Sequence, residues 1–252
     1  KLEDVKNVET RVSTLTMLGK TFDVIGPDNM ALEMFEAAVE EAERSDSIKS
    51  RAQAYNEIGQ YMHYRGESMA ATNLLEKSVA YWEKLGDIVE LQYNLVSLGM
   101  AYSDCGELEK SLASLKRGLN YCRKLGAKLS MATILGNMGY TLAMMGRHEE
   151  SLKYQQEALD IRKKENRRGG MAWSYYDMSI VHTQAGNDRM AEDCLTKAME
   201  GFTEVGDTIG MAYATFALAE LHKNSGDTER AAELYWEALK MSKEKQIQQD
   251  EC

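Results

Sequence analysis

Six glycines, Gly26, Gly66, Gly106, Gly146, Gly186 and Gly226, stand 40 residues apart along the chain. This periodicity leaves little choice of architecture. A unit so short cannot bury its apolar faces alone and must stack on copies of itself. Other columns keep the same phase. Seven residues before these glycines come Gly19, Gly59, Gly99, Gly139, Ser179 and Ala219, all small. Each is preceded by an apolar residue: Leu18, Ile58, Leu98, Met138, Met178 and Leu218. Five residues after the glycines come Ala31, Ala71, Ser111, Ser151, Ala191 and Ala231, small again. No insertion or deletion interrupts the six copies.

The columns predict two helices per unit. Leu95, Leu98, Gly99 and Tyr102 share one helical face, and Ser111, Leu115, Gly118 and Leu119 do so after Gly106. The glycine between them can turn the chain at positive φ without a Cβ clash. The small columns let paired helices approach closely, and the apolar column fills the space between them. A second break separates units at Asp46, Gly86, Gly126, Asn166 and Gly206, residue types that tolerate the left-handed end of a helix. Pro27 is the only proline in 252 residues and falls at a first helical turn, where its missing N–H does little harm.

Charge and thiols bound the class. Thirty Lys and Arg against 40 Asp and Glu give a formal charge of −10, which argues against broad nucleic-acid binding. Cys105, Cys122, Cys194 and Cys252 show no metal-ligand spacing and are too few to staple the chain, so reduced thiols in the cytoplasm are expected. The charged start, Lys1 to Lys6, lacks the apolar core of a secretory segment. No apolar run reaches the roughly 20 residues that a membrane span requires. A start without Met suggests a piece excised from a longer protein.

The run Leu98-Gly99…Tyr102…Ser111…Leu115…Gly118 resembles the tetratricopeptide repeat signature. The period of 40, with Leu85-Gly86-Asp87 and Val205-Gly206-Asp207 between units, is similar to the long-helix branch of that family. That branch includes spindle-orientation scaffolds, kinesin light chains and sensor regions of maltose-type bacterial transcription activators. The resemblance covers essentially the whole chain. It implies an all-α, right-handed α-solenoid of six tandem helix-turn-helix units, at about residues 9–48, 49–88, 89–128, 129–168, 169–208 and 209–248, in a single domain spanning 1–252. Three departures stand out. The first large column, from Leu15 and Tyr55 to Thr215, lacks Trp; His182 and His222 replace an aromatic; and Gln155 replaces an apolar residue.

No catalytic motif emerges, and no enzyme is expected. The chain contains no phosphate-binding GxxxxGK[ST], nucleophile elbow, HExxH or dinucleotide fingerprint. His182 and His222 share a column, but no Cys or carboxylate joins them at zinc-ligand spacing, so they read as polar substitutes for a core Tyr. Neither a metal nor a cofactor is called for. The basic run Arg162 to Arg168 reads as a solvated loop between units, with Gly169-Gly170 where the next helix begins.

What remains is a surface. The resemblance places the first helices on a concave face, with Gln53, Asn56 and Gln60 in the second unit and Tyr93, Val96 and Met100 in the third. The fourth supplies Asn137 and Tyr140; the fifth Trp173, Tyr176, Asp177 and Ile180; the sixth Tyr213, Phe216 and Glu220. Rings anchor apolar groups and amides bond a peptide backbone in both directions, so a groove for a peptide or helical segment is expected. Its ligand would be neutral to basic, opposite in sign to the chain. The family's cationic clamp for a C-terminal carboxylate is not reproduced. The alternative is a sensor module of a larger regulatory protein, binding a small molecule or an intramolecular segment. At the C-terminal end Leu234, Tyr235, Ala238, Leu239 and Met241 lack a covering helix, which predicts an exposed apolar strip there, covered by a second copy through weak self-association, by a partner, or by residues outside this sequence. The other end, with the stripe Leu2, Val5, Val8, Val12 and Leu15, looks better closed.

Overall fold

The computed structural model describes residues 2–25 and 28–250. The expectations for Gly26, Pro27 and Cys252 therefore lie outside the described residues. Within them the chain forms twelve α-helices and no strand. These are α1 (Leu2–Ile25), α2 (Asp28–Glu43), α3 (Ile48–Tyr64), α4 (Ser68–Leu85), α5 (Ile88–Asp104), α6 (Leu108–Leu125), α7 (Lys128–Met144), α8 (His148–Lys164), α9 (Arg168–Gln184), α10 (Asp188–Val205), α11 (Thr208–Asn224) and α12 (Thr228–Asp250). The fold is all-α and of the α-solenoid class, built from helical hairpins. Contacts group the helices into two compact units, Lys1–Gly126 and Ala127–Cys252.

The phased glycines do what their column predicts. Gly66, Gly106, Gly146, Gly186 and Gly226 all turn at φ between 72° and 86°. Each turn closes with the same pair of bonds. In the first, Gly66 N–H donates to His63 at 3.0 Å and Glu67 N–H donates to Met62 at 2.9 Å. This is the Schellman arrangement that satisfies the last carbonyls of a helix. The breaks between units are left-handed as well, except the first, where Asp46 does not take the positive φ expected of it. Gly86, Gly126 and Gly206 cap their helices at φ of 69°, 65° and 69°, and Asn166, just after the α8 cap Glu165, stands at 51°.

Within a hairpin the small column meets the large one. A Cβ on Gly99 would sit 2.7 Å from Leu115 Cγ, so α5 and α6 approach at a distance only glycine permits. In the first unit Leu75, Val79 and Trp82 of α4 pack with Leu91, Leu95 and Leu98 of α5. Ser78, also buried, places its hydroxyl 2.7 Å from the Ala52 carbonyl and 2.7 Å from Asn94 Oδ1. In the second unit Ala172 of α9, Leu195 and Phe202 of α10, and Ala214 and Leu221 of α11 form one cluster. Cys105, Cys122 and Cys194 are free thiols.

Candidate functional site

In the first unit the candidate residues lie on α3 and α5. Gln53, Asn56 and Gln60 are half-buried on α3, and Gln60 Nε2 donates to Asn56 Oδ1 at 3.0 Å. Their neighbour Glu57 is held by Lys20 of α1 at 2.7 Å. On α5, Tyr93 is 56% exposed and Met100 is exposed, whereas Val96 is half-buried.

The second unit gathers more. Trp173 and Tyr176 of α9 and Tyr213 of α11 form a ring cluster with centroids 5.6 to 6.1 Å apart. Helical spacing sets Trp173 and Tyr176 three residues apart, on one face. Trp173 is the anchored member. Its ring also packs on Phe202 at 4.9 Å, and its indole N–H donates to Asp207 Oδ2 at 3.2 Å. Tyr213 and Phe216 are each 51% exposed, and Tyr140 of α7 is 41% exposed. The cluster thus presents aromatic surface to solvent from a base rooted in the core.

Beneath the rings lies a polar floor. Gln155 of α8 is fully buried and lies flat against α7, where its Nε2 donates to the Gly136 carbonyl at 3.0 Å. Gly139 leaves room for it, since a Cβ there would fall 2.9 Å from Gln155 Cγ. Gln155 also donates to Asp177 of α9, while its own Oε1 and the buried Nδ2 of Asn137 have no partner. Burial raises the Asp177 carboxyl to about 7, against the opposing pull of Arg162 and of the Gln155 bond. The same burial raises the Tyr176 phenol to about 12, with Asp177 contributing.

Arg162 corrects one expectation. It does not belong to a solvated loop. It sits in the last turn of α8, half-buried, and donates to Ser174 Oγ at 2.6 Å. Gly170 opposite it makes this possible, because a Cβ there would stand 3.1 Å from Arg162 Cδ. A run of basic residues carries no sign of which one turns inward. The glycines across from it at 136 and 170 were the available signal. His182 is buried with Nδ1 unpartnered and its pKa lowered by burial, and His222 Nδ1 lies 3.3 Å from Asp227. Among the described residues no three His, Cys, Asp or Glu side chains converge as metal ligands.

Helical hairpins repeating every 40 residues, with small seams and left-handed breaks, define a helical-repeat protein. The chain belongs to the tetratricopeptide repeat family. That family's model matches residues 91–164, 130–204 and 170–244, more than half of the chain. Solved structures share the fold at low identity. A Rap protein complexed with Competence and Sporulation Factor superposes with a TM-score of 0.75 at 15% identity, over 97% of this chain and 78% of that one. The Rap conjugation gene regulator of plasmid pLS20, in complex with the Phr* peptide, gives 0.63 at 17% identity, over 86% and 70%. Kinesin light chain repeats from Podosopora anserina give 0.59 at 17% identity, over 80% and 99%. No curated protein matches.

Proposed function

We propose that the chain is a non-catalytic interaction module that binds a peptide or helical segment of a partner protein. The observation that carries this reading is the first-helix face of the second unit. There Tyr140, Tyr213 and Phe216 offer half-exposed rings beside the Trp173–Tyr176 cluster, over a floor holding Asn137, Asp177 and Arg162. Large amphipathic rings held by a rigid base bind at low entropic cost, and the polar groups around them orient a peptide backbone. Gln53, Asn56, Gln60 and Tyr93 provide a smaller, amide-rich counterpart in the first unit. A net charge of −10 favours a neutral to basic ligand. The peptide bound to the pLS20 Rap regulator supports a peptide over a small molecule as the ligand class.

The test is affinity capture with the wild type and with the Asn137→Ala, Tyr140→Ala double variant. Asn137 Nδ2 has no partner to lose, so the fold should be kept and the thermal midpoint should shift little. The expected result is capture of a partner by the wild type and at least tenfold weaker binding by the variant. Equal capture by both, with the variant folded, would remove this face from the function.

A further inference from the structure

Arg162 occupies a column of the second helices that other copies fill with buried residues. Trp82, Cys122 and Phe202 stand at the same phase and are 1%, 0% and 0% exposed. Arg162 does not end in that core. Its stem passes Gly170 of α9, where a Cβ would stand 3.1 Å from Cδ, and its guanidinium lies over Gly136 of α7. A Cβ on Gly136 would meet Nη2 at 3.6 Å and Nη1 at 3.9 Å. Gly136 belongs to the first-helix column that carries Asn56, Val96, Tyr176 and Phe216 in other copies. The guanidinium therefore takes the place of the side chain that this column lacks in the fourth copy.

The departures from the repeat gather at this one point. Gly136, Gln155, Arg162 and Ser174 stand where other copies carry Val96, Leu115, Phe202 and Ala214. Together they bring a cation to the first-helix face without bonding it to an anion. Arg162 donates to Ser174 Oγ, and Asp177, the carboxyl that acts on it, accepts from Gln155 instead. Burial raises that carboxyl to about 7, so near neutral pH it neutralises the guanidinium only in part. Arginine keeps its own charge. Two neighbouring polar atoms are buried without a partner. They are Gln155 Oε1, which a Gly136 Cβ would approach to 3.8 Å, and Nδ2 of Asn137, the next residue. A finished internal network would leave neither, because buried polar groups in folded chains are nearly all bonded. The guanidinium fork and the Asn137 amide are donors, and an oxygen anion is what such donors hold. A single guanidinium on a chain of charge −10 suits a carboxylate, whereas a phosphate dianion gathers several cations.

We infer that Arg162 receives a carboxylate of the bound peptide, its C-terminus or an Asp or Glu side chain, with Asn137 as the second donor. This deepens the proposed function and rests on its reading of the first-helix face. A ligand of neutral to basic net charge still has room for one acid, so the two readings agree. The cation comes from a second helix, which is why no column of Lys or Arg on the first helices announces it.

The probes are synthetic pools of random octapeptides, one pool ending in a carboxylate and one in a carboxamide. Affinity selection on the whole chain, read by mass spectrometry, picks the tightest members. These are remade with each acid neutralised in turn, Glu to Gln, Asp to Asn or C-terminal amide, and titrated by fluorescence anisotropy. One neutralisation should weaken binding to the wild type roughly tenfold or more, and should change binding to the Arg162→Met protein by less than about twofold. Arg162→Met keeps the stem against Gly170 and removes the guanidinium, and circular dichroism checks its fold. Should that variant not fold, the wild-type comparison still decides, because it needs no variant. The position that matters tells a C-terminal acid from a side-chain acid. The inference is overturned if the tightest peptides carry no acid, if no neutralisation weakens the wild type, or if each weakens both proteins equally. Peptides that bind both proteins alike remove this anchor and leave the face as a peptide site. Pools from which nothing is captured overturn both.

Discussion

Gly99 and Asp177 show two ways in which a single side chain matters here. At Gly99 the constraint is volume, since the position of a Cβ already lies 2.7 Å from Leu115 Cγ. Replacing Gly99 by Leu should cost about 1–3 kcal/mol or more through overpacking, seen as an earlier urea midpoint. A neutral result would mean that α5 and α6 part easily. At Asp177 the constraint is solvation. Its carboxyl is raised from 3.8 to about 7, so the folded state holds this proton where the unfolded chain has released it. The stabilisation from that proton is complete below pH 3.8 and is lost as pH rises through about 7. Asp177→Asn should therefore stabilise the protein at pH 8 by about 1–3 kcal/mol and by much less at about pH 5. Urea titrations at both pH values check this, and an equal effect at the two would contradict it.

Most described helices stop where the backbone turns left-handed, α2 being an exception, and the five described hairpin turns use one bonding scheme. The break at Asn166 is the exception in residue type. It holds φ 51° with a side chain present, at a position where Gly86, Gly126 and Gly206 stand in other repeats. Asn166→Gly should raise stability by about 0.5–1 kcal/mol by relieving the Cβ contact, measured by thermal unfolding. Side chains set some of the helix starts, whereas the N-caps of α4 and of α6 to α10 make no such bond. Asp87 Oδ1 accepts from Val89 and Glu90 N–H at 3.1 and 3.2 Å, and Asp207 Oδ1 accepts from Gly210 N–H at 3.0 Å. Asp207 also takes the Trp173 indole proton, so one carboxylate both starts α11 and ties the ring cluster down. Its replacement by Ala should cost about 1 kcal/mol for the cap and loosen Trp173, read as a shift in tryptophan fluorescence.

At the scale of the molecule, the proposed neutral to basic ligand is tested through charge. A chain of formal charge −10 would steer such a ligand, if basic, at low ionic strength, and salt screens exposed charges over about 10 Å at 0.1 M. Binding of the captured partner should weaken as salt rises from about 0.05 to about 0.5 M, mainly through a slower on-rate. An affinity indifferent to salt would assign the binding to the apolar rings alone. No described helix is long and apolar enough to cross a membrane.

The repeat length, the twelve helices and the left-handed turns were legible in the residues because they depend on local geometry. Glycine at positive φ and small residues facing Leu115-type partners are requirements that each copy must meet by itself. The unusual members were legible only as exceptions. Gln155 stood out in an apolar column, but its bond to the Gly136 carbonyl needed α7 and α8 in place. Arg162 read as one of several basic residues between units. Only packing opposite Gly170 and the Ser174 hydroxyl turned it inward and set it near Asp177. Trp173 carried no sign of whether its ring faces solvent or core, because Phe202 and Asp207, which hold it, lie in α10 and at the cap that starts α11. Periodicity is a property of one helix. Burial and the Asp177 shift are properties of several helices together, so the three-dimensional packing set them.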